Sequence, residues 1–262
     1  MTEDAWAVLD RELDRWRSTG RQATLWLRDD DATHPTPALD RLLGLAERAA
    51  VPLALAVIPA GATPALARAL ARRRAVSVLQ HGYAHANHAG PGAKKSEYAE
   101  GRPLEAMTGE LVRGRATISR LFGDMAAPVL APPWNRSAPG LVPRLPAAGL
   151  AGLSRFAPRR SAHAAAGLVE ANAHVDLIDW RAGRTGKPAA TIAAETAEHL
   201  RARREGAVDA DEPTGLLAHH LAMDETAWAA LADLLARFGR DARAAWLDAH
   251  AVFRNPATGS EA

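Results

Sequence analysis

The reactive side chains of this chain fall in clusters. Arg28-Asp29-Asp30-Asp31 sets three adjacent carboxylates behind an apolar run. His81 and His85 are separated by three residues, and His88 follows. Further on come Pro132-Pro133-Trp134-Asn135-Arg136, Asp179-Trp180 and His219-His220. Adjacent carboxylates repel unless a cation or an arginine compensates them; alone, such a triplet reads first as a helix cap or a solvated turn. A His-x-x-x-His spacing lets two imidazoles face one point. With an aspartate it makes a two-His, one-Asp site, which leaves positions open for water and substrate. His88 reads as an extra ligand or, preferably, a polar wall. Of His219 and His220, one suits a buried histidine satisfied by the main chain. The other suits a proton donor, because an ordinary imidazole titrates near neutrality. Asp179 is a candidate to orient it.

Composition narrows the chemistry. The 262 residues contain no cysteine and 10 histidines. That excludes a disulfide framework, a thiolate nucleophile and a cysteine zinc site, so any metal falls to His, Asp and Glu. Lys+Arg 32 against Asp+Glu 30 is too balanced for a dedicated nucleic-acid binder, and no basic stripe with interleaved aromatics appears. Hydrophobic residues at 48% support a sizeable core and exclude disorder of the whole chain.

The elements that must position these clusters alternate. Apolar β-type runs at 23–27, 53–58, 76–79, 129–130, 149–153, 175–178 and 215–218 read as strands. Periodic stretches at 37–50, 64–74, 103–122, 191–204, 224–238 and 242–250 read as helices, as does the Trp6, Leu9, Leu13, Trp16 stripe near the start. Strand then helix, repeated, implies a parallel sheet, and this length suits a closed or nearly closed barrel ahead of an open doubly wound sheet. The clusters follow the ends of predicted strands, where parallel α/β folds collect their chemistry. Trp6, Trp16, Trp228 and Trp246 read as core or interface. Arg72-Arg73-Arg74 reads as a helix end, and the Lys94-Lys95 loop as solvated.

In this order the clusters resemble the motifs of the polysaccharide deacetylases, the NodB-homology group of carbohydrate esterase family four, over roughly residues 25–224. The first motif of that family ends in an Asp pair, base then metal ligand. It aligns with Asp30-Asp31, with Asp29-Asp30 as the alternative register. The second motif matches His81 and His85, with Gly82 where the family usually has Ser or Thr. The third resembles Ala131-Pro132-Pro133-Trp134-Asn135 without its leading Arg, which normally contacts the base; Arg28 or Arg136 would have to substitute. The fourth matches Asp179-Trp180. The fifth, Leu-x-His, matches Leu217-Ala218-His219 and singles out His219 over His220.

The resemblance implies a distorted parallel (β/α)7–8 barrel and a metal-dependent deacetylase that removes an acetyl group from an N-acetylated sugar or glycan, a linear amide. It implies a divalent metal, zinc ahead of cobalt, nickel or manganese, held by Asp31, His81 and His85. Asp30 would be the base, and His219 the acid with Asp179 orienting it. Trp134, Pro133, Trp180 and Tyr83 would line the substrate, with Asp29, Arg28, Arg136 and His220 supporting. The alternatives are an amidohydrolase of a non-glycan small molecule and a non-catalytic binding subunit. One barrel domain is expected over 1–262, with its core at about 22–240, an N-terminal helix at 3–18 and a frayed tail at 255–262, leaving no separate carbohydrate-binding module. The acidic start lacks the basic, apolar character of a signal peptide and no run spans a membrane, so the expected location is cytoplasmic.

Overall fold

The computed structural model describes residues 4–254; the expected tail at 255–262 and residue 3 of the expected first helix lie outside the described residues. The strands are β1 (Ala23–Ala32), β2 (Leu53–Val57), β3 (Val76–His81), β4 (Ala126–Ala131), β5 (Gly152–Leu153), β6 (His163–Ala165), β7 (Leu168–Glu170), β8 (Val175–Asp176), β9 (Ile178–Asp179), β10 (Thr185–Gly186), β11 (Thr214–Ala218) and β12 (Ala244–Trp246). The helices are α1 (Ala5–Ser18), α2 (Pro37–Ala49), α3 (Pro64–Leu70), α4 (Leu104–Phe122), α5 (Ala189–Arg204), α6 (Glu225–Phe238) and α7 (Ala249–Val252). Several start as their sequences direct: Thr36 and Thr63 cap α2 and α3 ahead of a proline in the first turn, and Asp224 caps α6.

The main sheet runs β7-β5-β4-β3-β2-β1-β11-β8 in parallel, with β6 added antiparallel to β7 and β12 parallel to the start of β1. The backbone from 168 to 176 is shared by both ends of this run. It begins against β5, pairing Val169 with Gly152, and ends against β11, pairing Val175 with Leu216. Between them, Ala173 N donates to Arg155 O and His174 N to Gly215 O. The sheet therefore curls back onto one extended segment as an α/β barrel.

Alternation along each strand divides the core in two. Leu25, Leu27, Leu53, Leu55 and Val78 face outward and pack with Leu42, Leu43, Leu231 and Leu234 of the helices. Trp26, Ala54, Ala56, Leu79, Val129 and Ala131 face inward, and Phe253 following α7 closes the N-terminal end of the barrel. Trp26 and Phe253 meet edge to face at 5.7 Å. Small interior residues leave room for these two rings. A Cβ on Gly152 would come within 2.7 Å of Phe253 Cδ1, so that position must stay bare.

The structure departs from the expected elements in places. The acids lie within β1, not after it. The expected strand at 175–178 is split, because Ile178–Asp179 leaves the barrel to pair with β10. Residues 242–250 form β12 and the short α7 in place of a helix. Arg243 explains this: its guanidinium is clamped by Asp10, Asp14 and Asp241 while Arg243 O and Leu247 N bond to β1. The β6–β7 hairpin went unforeseen, although Gly167, at φ +73, marks its turn. Among the described residues, no helix is long and apolar enough to cross a membrane.

Candidate metal centre

The site begins with the parity of β1. Arg28 and Asp30 share the inward face, and Asp29 points outward. Arg28, fully buried, places Nε 3.0 Å from Asp30 Oδ1 and donates from Nη2 to Asp30 Oδ2 at 3.0 Å. The same guanidinium donates to Asn135 Oδ1 at 2.6 Å, and from Nη1 to Ser154 Oγ at 2.7 Å and to the carbonyls of Ser154 and Arg155. It thus crosses the barrel interior from β1 to the ends of β4 and β5. Outward, Asp29 accepts His220 N at 2.8 Å and pairs with His220 Nδ1 at 2.5 Å. Burial pushes the Asp29 carboxyl above its ordinary pKa even though His220 opposes the shift.

Asp31 breaks the alternation. It lies in a register shift between β1 and β2 and takes a left-handed φ of 77°, a conformation that aspartate adopts more readily than most side-chain-bearing residues. This turn aims Oδ1 at two histidines, His81 Nε2 at 3.1 Å and His85 Nε2 at 3.3 Å. Burial works against its charge, but the close approach and charge of His81, with His219 and His85, hold the carboxyl well below the usual carboxylate range.

His81 ends β3 on the inward face. Its Nδ1 donates to Ala131 O at 2.9 Å, which fixes the tautomer and leaves Nε2 free as a ligand. Burial opposes its protonation; Asp30 and Asp31 outweigh that, and its pKa lies above the ordinary value. His85 sits one tight turn later at φ +57, its ring 4.4 Å from that of Trp134. Burial and the neighbouring His81 push its pKa down. Glu97 organises the turn between them. This carboxylate, 1% exposed, accepts Tyr83 N at 3.0 Å and Ala84 N at 2.7 Å. Gly82 stands above it at φ +59, where a Cβ would fall 1.9 Å from Glu97 Oε2 and 2.6 Å from Pro133 Cδ.

His219 follows β11, with Nε2 3.9 Å from Asp30 Oδ2. Trp180 meets its ring edge-on at 4.9 Å and donates from Nε1 to Asp176 Oδ2 at 2.8 Å. Asp176 is buried and its pKa is raised by that burial, against the charge of His219.

Asp31, His81 and His85 offer ligand atoms within 4.8 Å of one another, the single such group of three or more His, Asp or Glu among the described residues. Asp31 Oδ1 is buried without a geometrically sound hydrogen bond, and one carboxylate with two imidazoles matches the hard-to-borderline donors of a divalent cation. The residues present fit such an ion.

Other expected site residues are distributed as follows. Of the two arginines considered for the missing third-motif position, Arg28 reaches Asp30, whereas Arg136 donates to Lys95 O on the surface. Asp29 is paired with His220, away from the cluster. Asp179, expected to orient His219, instead accepts the N–H groups of Arg181 and Ala182 in the turn after β9; the carboxylate linked to His219 through Trp180 is Asp176. The correction follows from the split of the expected strand, which turns Asp179 out of the barrel. The Tyr83 ring lies under the Arg113 guanidinium of α4. His88 is exposed and is not among the converging ligand atoms. Glu97, Ser154 and Asp176 escaped the sequence reading. Asp176 carried a signal, an acid within an apolar strand, while Glu97 in its loop carried none.

No family model matches the chain, and no curated protein matches it. Solved structures do. A Mycobacterium smegmatis protein assigned as a polysaccharide deacetylase is 18% identical with a TM-score of 0.61, covering 86% of this chain and 87% of its own. A family 4 carbohydrate esterase from Streptomyces lividans, in complex with acetate, is 18% identical with a TM-score of 0.52, covering 83% and 90%. A family 4 acetyl xylan esterase from Clostridium thermocellum, in complex with a cobalt ion, is 14% identical with a TM-score of 0.50, covering 82% of each chain. The fold of this chain is that of the polysaccharide deacetylases.

Proposed function

We propose that this barrel is a metal-dependent deacetylase that hydrolyses the acetamide of an N-acetylated sugar or glycan. The observation that carries this reading is the convergence of Asp31, His81 and His85 beside an arginine-held Asp30 and a histidine just past the end of the neighbouring strand β11. The shared fold with family 4 carbohydrate esterases supports it.

Asp31, His81 and His85 would hold the ion, with zinc the first choice for this donor set. A divalent cation there supplies a Lewis acid for the amide carbonyl and lowers the pKa of water. Asp30, fixed by Arg28, takes a proton from the attacking water. His219 Nε2, on the other side of Asp30, donates a proton to the departing amine. The Tyr83 and Ala84 N–H groups are taken up by Glu97, which leaves the N–H near Trp134 as the main-chain donor that can add to oxyanion stabilisation. Trp134, with Pro133 behind it, and the half-exposed Trp180 supply apolar walls of the kind a sugar face prefers. The absent third-motif Arg favours a non-catalytic subunit; that Arg28 reaches the Asp30 carboxylate from β1 supports the catalytic reading instead. A hydrolase with this constellation can still act on a non-glycan amide.

The test is metal content and acetate release on one preparation. Reconstituted protein should bind about one divalent ion and release acetate from N-acetylglucosamine oligomers. Asp31→Ala and His81→Ala should lose both. Acetate release from metal-free protein would end the reading.

A further inference from the structure

We propose that a cavity beside the reaction centre binds an anionic group, a carboxylate or a phosphate, carried by the substrate. This deepens the deacetylation proposed above and rests on it for the identity of the rest of the ligand. The cavity measures about 320 Å³ and lies outside the ends of β4 and β5, lined by Arg155, Arg160, His163, Ser137, Ser161 and Glu170 among others. Its charges are unequal. Glu170, 4% exposed, is already engaged: its Oε1 accepts Arg155 Nε at 3.1 Å, Arg155 Nη2 at 2.6 Å and Asn172 Nδ2 at 3.1 Å. Arg160 has no carboxylate partner among the described residues, and Ser137 Oγ is buried with no hydrogen-bond partner. Guanidinium groups donate and cannot accept. Arg155 and Glu170 neutralise each other, so the uncompensated charge of the wall is that of Arg160, which with the unpartnered Ser137 Oγ suits a ligand rich in acceptors and negative charge.

Position gives the cavity its relevance. Asn135, two residues before Ser137, accepts Arg28 Nη2, and the Arg155 carbonyl accepts Arg28 Nη1. Both walls are therefore tied to the guanidinium that holds Asp30. Arg28 thus lies between the two: it touches Asp30 on one side and the Arg155 carbonyl, at the cavity wall, on the other. The substrate class so defined is an N-acetylated sugar bearing a phosphate or carboxylate, in preference to a neutral polymer.

Binding separates this site from turnover. Calorimetric titration of metal-free protein with N-acetylglucosamine, its 1-phosphate, its 6-phosphate and its 6-carboxylate analogue should rank an anionic sugar about fivefold to tenfold tighter than the neutral one. Arg160→Ala, on the surface and outside the catalytic set, should abolish that preference and leave neutral-sugar affinity and melting temperature unchanged. Preference for the phosphates alone points to a dianion, and equal preference for the carboxylate to any anion. Equal affinity for all four, absence of binding, or a preference that survives in Arg160→Ala overturns the proposal. An anion preference lost in Arg160→Ala, with no acetate released by metal-loaded protein, keeps the anion site and removes the reaction.

Discussion

Arg28 and Asp30 stand two residues apart on β1 and meet inside the barrel, with Nε 3.0 Å from Oδ1 and Nη2 3.0 Å from Oδ2. Strand parity makes the pair: residues i and i+2 share a face. Both side chains are almost fully buried, and each is the other's compensation. Arg28→Ala should therefore leave an uncompensated buried carboxylate. We expect a loss of about 3–5 kcal/mol in urea unfolding and a fall in acetate release of at least about 100-fold. Arg28→Lys should fold better than Arg28→Ala yet remain slow, because an ammonium cannot replace the fork that also reaches Asn135 and Ser154. Wild-type rates in Arg28→Ala would show that the guanidinium does not position Asp30.

Asp176 and Asp179 compete for one role. Asp176 reaches His219 through Trp180, and Asp179 caps a turn. Asp176→Asn should lower kcat about tenfold and shift the pH profile of kcat, with metal content unchanged. Asp179→Asn should leave kcat within about twofold and the urea midpoint nearly unchanged. The reverse order would restore Asp179 as the partner of His219.

Gly82 and Glu97 share one space. Gly82→Ser would add a side chain at a left-handed φ and against the Glu97 carboxylate. It should cost about 1–3 kcal/mol and weaken metal binding by unsettling His81 and His85. Shortening the neighbour in Gly82→Ser/Glu97→Ala should recover part of that loss, a positive coupling readable in a double-mutant cycle. Strict additivity would mean that the two side chains do not compete.

A second histidine cluster lies near the opposite end of the barrel. His174 and His199 stack at 3.7 Å; His199 Nδ1 contacts Thr214 Oγ1 at 2.9 Å, and His174 Nδ1 accepts Gly215 N. Burial, then His174 and Arg203, push the His199 pKa down to about 2, and burial lowers that of His174 despite Glu212. The folded state therefore binds fewer protons here than the unfolded chain. Stability falls as pH drops below the unfolded histidine value of about 6.5, by up to about 1.4 kcal/mol per pH unit for each histidine. His81 and His220, with raised pKa values, act in the opposite sense. The comparison to make is thus wild type against His199→Gln in urea unfolding between pH 7.5 and 5.5. The variant should show a shallower acid loss, and an unchanged slope would remove His199 as its source.

The sequence by itself determined the class of fold, the order of the main barrel strands and of the helices from α1 to α6, and the inventory of chemistry. Alternating strands and helices carry that information in local periodicity, and the Asp triplet, the His-x-x-x-His spacing and the Leu-x-His at 217–219 are legible because they are contiguous. Tertiary structure decided which member of each cluster goes where. The register shift at Asp31 turns one acid to His81 and His85, while parity sends Asp29 to His220 and Asp30 to Arg28. The split of 175–179 turns Asp179 out into a turn and leaves Asp176 bonded to Trp180, and Glu97 reaches the histidine turn from a loop 15 residues after Gly82 with no motif around it. These contacts depend on the curl of the sheet, which brings β5 and β11 to one stretch of backbone and lets Arg28 cross the interior. Periodicity specifies the face of an element; the distances across the barrel, and so the pairing of its charges, exist only once the sheet has curled.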